Sequence, residues 1–79
     1  MKISYEGKTV IVTGAAGGLG KSMSRLFAEC GANVAVCDIA RGEAITEEIN
    51  NAGGTAKYYR FDIRDREQIE KAFAEIMND

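Results

Sequence analysis

A chain of 79 residues, 46% hydrophobic and 28% charged, is sized for a single domain with a modest core. Its net charge of −2, with acids and bases interspersed, argues against a nucleic-acid or anionic-membrane surface. No apolar run approaches the roughly 18 residues of a membrane span, and the opening "MKISYEGKTVIV" lacks the layout of a signal peptide.

Three apolar runs alternate with three stretches of helical period. "TVIV" (9–12) is continuously apolar and β-branched, which predicts a strand covered on both faces. Leu19, Met23, Leu26, Phe27 and Cys30 then recur at helical spacing, a stripe stopped by Gly31. "NVAVCD" (33–38) predicts a second buried strand. Ala44, Ile45, Ile49 and Ala52 form another helical stripe, closed by Gly53-Gly54. "AKYYRFDI" (56–63) alternates, with Tyr59, Phe61 and Ile63 on one side, and predicts a half-wet edge strand. Asp65 is placed to cap a last helix carrying Ile69, Ala72, Phe73, Ile76 and Met77 on one face.

The order β-α-β-α-β-α with short connections requires right-handed crossovers and helices on both sides of a small parallel sheet, strand order 3-2-1. That is an α/β fold, half of a doubly wound Rossmann nucleotide-binding domain. Cys30 and Cys37 are the only cysteines and lack C-x-x-C spacing, which fits packed thiols in a reducing cytoplasm. With no histidine either, no metal site is expected.

The segment between the first strand and first helix, "TGAAGGLGKS" (13–22), has two readings. Counted from Ala15 it is A-x-x-x-x-G-K-S, close to an ATP- or GTP-binding P-loop with Lys21 on phosphate and Ser22 on Mg²⁺. Its first glycine is missing, however, and the third strand is too polar to deliver the usual metal-positioning aspartate. Counted from Thr13 it is T-G-x-x-x-G-x-G. Gly14 then permits the tight turn, Gly18 the close approach of a pyrophosphate, and Gly20 close helix–sheet packing, with Thr13 bonding within the turn. An acidic residue should close the second strand to take the ribose hydroxyls, and Asp38 stands there. A carboxylate at that place favours NAD over NADP, although Arg41 could offset part of the repulsion of a 2′-phosphate.

This glycine spacing, Asp38 after the second strand, and "FDIRD" (61–65) after the third together resemble the short-chain dehydrogenase/reductase family over nearly the whole chain. The resemblance implies that Asp62 accepts from the adenine amino group, that the Ile63 N–H donates to the neighbouring ring nitrogen, and that Ile39 packs on the adenine face. It adds Leu19, between the last two glycines, to the cofactor-binding set. It also implies hydride transfer between nicotinamide and an alcohol or carbonyl substrate. The family's Tyr-x-x-x-Lys pair has no counterpart: four residues beyond Tyr5, Tyr58 and Tyr59 stand Thr9, Asp62 and Ile63. The expectation is a truncated, single cofactor-binding domain over residues 1–79, without catalytic residues, self-associating through its exposed first strand. A non-catalytic, self-associating fragment is the other alternative. "NNAG" (50–53) matches a family motif in letters, but its place after a helical stripe makes it a helix end.

Overall fold

The computed structural model describes residues 4–15 and 17–78; residues 1–3, where the N-terminal reading begins, Ala16 of the glycine-rich loop and Asp79 lie outside them. Six elements alternate: β1 (Thr9–Thr13), α1 (Gly18–Glu29), β2 (Asn33–Asp38), α2 (Glu43–Asn51), β3 (Thr55–Arg60) and α3 (Arg66–Asn78). The three strands pair in parallel in the order β1-β2-β3, as expected from the connections. Thr13 stands opposite Cys37, and Asp38 opposite Arg60, so β2 and β3 end level and β1 ends one residue earlier.

The helices divide between the two faces. Val12, Val34 and Val36 of the sheet pack with Ile45 and Ile49 of α2, and with Phe27 and Ala28 of α1. On the other face Ala35, Cys37, Tyr59 and Phe61 pack with Ala72 and Ile76 of α3. Arg25 of α1 forks onto Glu48 of α2, with Nη2 3.0 Å from Oε1, and ties the two neighbouring helices together.

Both helix stops signalled by glycine are present. Gly31 adopts φ +93°, its N–H donates to the Ala28 carbonyl (3.0 Å), and the Ala32 N–H donates to that of Phe27 (3.1 Å). Gly53 repeats this geometry with φ +93°, its own N–H on Asn50 O and the Gly54 N–H on Ile49 O. Both are left-handed glycine caps that satisfy carbonyls left open at a helix end. "NNAG" is therefore a helix terminus. Asn50 clasps the Ala56 backbone of β3, donating to its carbonyl (3.0 Å) and accepting from its N–H (2.9 Å).

Four expectations need correction. β1 is covered on one face only: Val12 is buried, but Ile11 is 38% exposed because α3 lies over β2 and β3. The apolar stripe of α1 is largely on the surface, with Leu19 77%, Met23 41% and Leu26 57% exposed. Of the stripe, Phe27 packs against the core, and the rest of the face that packs carries Gly20, Ser24 and Ala28, whose small side chains let the helix come close to the sheet. β3 ends at Arg60, so Ile63 lies in the following turn and is 59% exposed. In α3, finally, Ala72 and Ile76 are buried whereas Phe73 and Met77 face outward.

Candidate functional site

The turn after β1 is built by glycine. Gly14 has φ +64°, which L side chains rarely adopt, and its carbonyl accepts from the Gly17 N–H (3.2 Å). The Ala15 N–H donates to Cys37 O (3.2 Å), fastening the turn to the end of β2. A Cβ on Gly20 would lie 2.2 Å from Gly14 O and 2.7 Å from Ala15 Cα, so α1 presses directly on the turn. A Cβ on Gly18 would meet nothing within 4 Å. That position keeps open space over bare backbone.

α1 starts without compensation. Its N-cap, Gly17, offers no side-chain acceptor, and the first turn carries no acid. The initial N–H groups and the positive end of the helix dipole thus remain available to an anion.

Beside this turn, at the carboxyl ends of all three strands, lies a cleft of about 240 Å³. Thr13 and Gly14 line it from β1 and its turn, Cys37 and Asp38 from β2 with Ile39 just after it, and Phe61, Asp62, Ile63 and Arg64 from the segment after β3. Ligand clefts in open α/β sheets lie at this end. Six residues expected from the sequence, Thr13, Gly14, Asp38, Ile39, Asp62 and Ile63, are brought together here. Gly18 stands at the start of α1 outside the cleft, Gly20 is buried under the turn, and Leu19 points to solvent.

Local bonding sets each acid. Asp38 Oδ1 accepts from the Ala40 N–H (3.0 Å), so the carboxylate closes a turn over its own backbone. The Asp38 carbonyl accepts from the Tyr58 hydroxyl (3.2 Å) and from the Phe61 N–H (3.3 Å). The Tyr58 ring lies against Gly42, where a Cβ would approach its Cδ1 to 2.2 Å. Arg60 Nε donates to Ile39 O (3.0 Å) and holds the chain leaving β2.

Asp62 is gripped by Arg64. Oδ1 accepts from the Arg64 backbone N–H (2.9 Å) and from its Nε (3.1 Å), and Oδ2 accepts from Nη2 (3.1 Å). The guanidinium hydrogen bonds, helped by the backbone N–H, hold the Asp62 carboxyl below its ordinary range. Gln68 fixes this segment to α3: its Oε1 accepts from Asp62 N, and its N and Nε2 donate to Asp65. Asp65 caps α3 as expected. Arg64 and Gln68 went unnoticed in the sequence; the only available signals were an arginine two residues after the aspartate and the D-x-x-Q spacing of a capping box.

Burial pushes the Cys37 thiol up to about 11, so it stays a neutral wall of the cleft. Cys30 is also unbridged, and the described residues contain no group of side chains suited to a metal ion. The P-loop reading finds no support in geometry. Ser22 Oγ donates back to the Gly18 carbonyl (3.1 Å), and the Lys21 charge is felt at Glu48 of α2. No helix among the described residues is long and apolar enough to cross a membrane.

Comparison with known proteins agrees with this arrangement. The family model for short chain dehydrogenases matches residues 8–79. A short chain dehydrogenase/reductase, dpchG, of Colletotrichum higginsianum is 43% identical over 72 residues, covering 89% of this chain and 27% of its own length. The solved structure of a 7α-hydroxysteroid dehydrogenase complexed with NADH and 7-oxo glycochenodeoxycholic acid superposes with a TM-score of 0.92 at 32% identity, over 98% of this chain and 31% of that one. A metagenomic short-chain oxidoreductase in complex with NADP superposes at 0.86 with 28% identity, over 92% of this chain and 34% of that one. The chain thus spans roughly a third or less of the length of these relatives. With the T-G-x-x-x-G-x-G turn, the acid closing β2 and the aspartate after β3 all set at one strand end, and the family model matching residues 8–79, this chain belongs to the short-chain dehydrogenase family.

Proposed function

We propose that this chain is the NAD-binding portion of an oxidoreductase that moves a hydride between nicotinamide and an alcohol or carbonyl substrate, residues 1–79 forming one cofactor-binding unit. The observation that carries the reading is the cleft shared by Gly14 and Asp38, beside an α1 terminus with neither cap nor first-turn acid. The pyrophosphate lies over Gly18 and Leu19 backbone, Gly20 keeps α1 close, and Thr13 supports the turn. Asp38 accepts from the adenosine ribose hydroxyls. Ile39 would pack on the adenine face, the Ile63 N–H would donate to a ring nitrogen, and the adenine amino group would donate to Asp62. NAD, when bound, supplies the hydride acceptor; no residue of this chain is assigned to proton transfer, since it contains no Tyr-x-x-x-Lys.

Size supports holding one end of the dinucleotide. The cleft, about 240 Å³, falls below the roughly 300–1,000 Å³ of sites that enclose a drug-sized ligand. With only the adenosine end of the dinucleotide held, affinity is weak, about millimolar or −4 kcal/mol. NAD is preferred over NADP, because a 2′-phosphate ~4 Å from Asp38 would be repelled by about 4 kcal/mol at an effective dielectric near 20. Solved relatives carry either NADH or NADP, so this preference rests on Asp38. Free thiols at Cys30 and Cys37 support a cytoplasmic location. The outer edge of β1, with which no strand among the described residues pairs, supports self-association.

NMR titration tests the reading. Addition of NAD should shift the amides of Gly14, Gly18 to Gly20 and Asp38 progressively through the millimolar range. Absence of such shifts at 10-fold the expected dissociation constant, roughly 10 mM, rejects it.

A further inference from the structure

Arg64 is not accounted for by the reading above. Its side chain is 84% exposed at the cleft, yet it is committed to Asp62 through a forked pair, with a third bond from its own backbone N–H. An ionised carboxylate offers about four acceptor positions and no donor. Three are filled by Arg64, two on Oδ1 and one on Oδ2, which leaves one on Oδ2. The Asp62 backbone is held independently, its N–H by Gln68 and its carbonyl by the Asp65 N–H (2.9 Å). The orientation of the carboxylate thus depends on Arg64 and its ionisation is favoured by Arg64. Asp38 is the other charged group lining the cleft, and Asp65, from the α3 side, is engaged with Gln68.

We infer that Arg64 is a positioning residue: by gripping Asp62 it presents a single acceptor to the cleft and thereby selects an amino-purine over an oxo-purine as the base of the bound dinucleotide. The inference rests on the proposed dinucleotide site and adds to it a residue that touches no reacting atom. An amino group donates to the remaining Oδ2 position. A carbonyl at the same place of the base would meet a carboxylate with no proton to offer, so two acceptors would face each other and the hydrogen bond would be lost. A forked guanidinium can do this; a lysine is a point charge that restores ionisation but not orientation.

The test compares NADH with its hypoxanthine analogue, by NMR titration of the full chain and of its Arg64→Met and Arg64→Lys variants. The wild type should bind NADH about tenfold more tightly than the analogue, a hydrogen-bond-sized discrimination. R64M should bring the two within about threefold, and R64K should fall between, with binding of the NADH pyrophosphate end still seen at Gly18 and Gly20. In the ligand-free proteins, the Asp62 carboxyl followed by carbon NMR should titrate higher in R64M than in the wild type, a readout that mere surface packing would not move. Equal selectivity in R64M and wild type, or unchanged Asp62 titration, overturns the inference while leaving the dinucleotide site intact. Wild-type protein that binds neither dinucleotide overturns the site and the selectivity together.

Discussion

Gly20 rests against Gly14 so closely that a methyl group at position 20 would stand 2.2 Å from the Gly14 carbonyl oxygen. Backbone lies on both sides of that contact, so no side chain can rotate away. Gly20→Ala should therefore lift α1 off the turn and cost about 1–3 kcal/mol. Gly18→Ala makes the contrast, because its Cβ enters open space and alanine favours helix. G18A should leave the urea midpoint within about 0.5 kcal/mol of wild type yet weaken NAD binding. The reverse pattern, a stable G20A or a G18A that binds normally, would mean the two glycines do not divide packing from ligand access.

Much of this was legible beforehand. Strand order, crossovers and both glycine helix stops follow from local rules: where apolar runs fall, and where an L residue cannot take φ +93°. Asp38 was legible because it closes the second strand pattern, whereas Asp62 came only from the resemblance carried by "FDIRD", since the predicted strand runs through it to Ile63 and β3 ends at Arg60. Which face of α1 is buried was not. Hydrophobicity marks Leu19, Met23 and Leu26, whereas close approach to the sheet selects Gly20, Ser24 and Ala28, which carry almost no hydrophobic signal. The coverage of β1 was misread for a related reason: "TVIV" reports apolarity on both faces, but not which face α3 reaches. Arg64 escaped because its role depends on a turn geometry two residues long.

Ser24 follows from the same face. Its hydroxyl is fully buried and has no hydrogen-bond partner among the described residues. An unpaired buried hydroxyl costs about 1–3 kcal/mol, and alanine is the better helix former. Ser24→Ala should raise stability by about 1 kcal/mol, read as a higher urea midpoint at unchanged slope. A loss instead would reveal a partner for that oxygen.

Asp38 makes cofactor choice measurable. Asp38→Asn keeps the size of the side chain and the acceptor for the Ala40 N–H, but removes the charge. Affinity for NADPH should rise relative to NADH by about tenfold or more, given a repulsion of about 4 kcal/mol before screening. Competition between the two, followed by nicotinamide fluorescence, reads the ratio; an unchanged ratio removes Asp38 as its determinant.

Cys37 gives stability a limit on the alkaline side. Burial raises its thiol to about 11 from an ordinary 9.0, so the unfolded chain loses that proton first. The stabilisation is complete below about pH 9 and is lost as pH rises toward about 11, roughly 2–3 kcal/mol over the window. The measure is the difference from Cys37→Ala, whose stability should fall less steeply between those limits. Parallel curves for the two proteins would remove the thiol from the account.

Among the described residues no strand lies beside the outer edge of β1, and apolar side chains flank it on both faces: Ile11 (38% exposed) on one, Met23 (41%) and Leu26 (57%) of α1 on the other. A short parallel sheet with such an edge gains both ladder hydrogen bonds and burial if a second copy lies against it. Two-fold pairing of β1 with β1 satisfies both partners at once and leaves the cleft beyond Thr13 clear. Sedimentation should show a dimer whose population grows with concentration. Ile11→Lys places a charge in that junction without touching the α1–α2 core, and should return the chain to monomer while the NAD-dependent shifts at Gly14 persist. Wild-type protein that sediments as a monomer at millimolar concentration defeats the pairing. An I11K variant that still dimerises moves the contact to some other face.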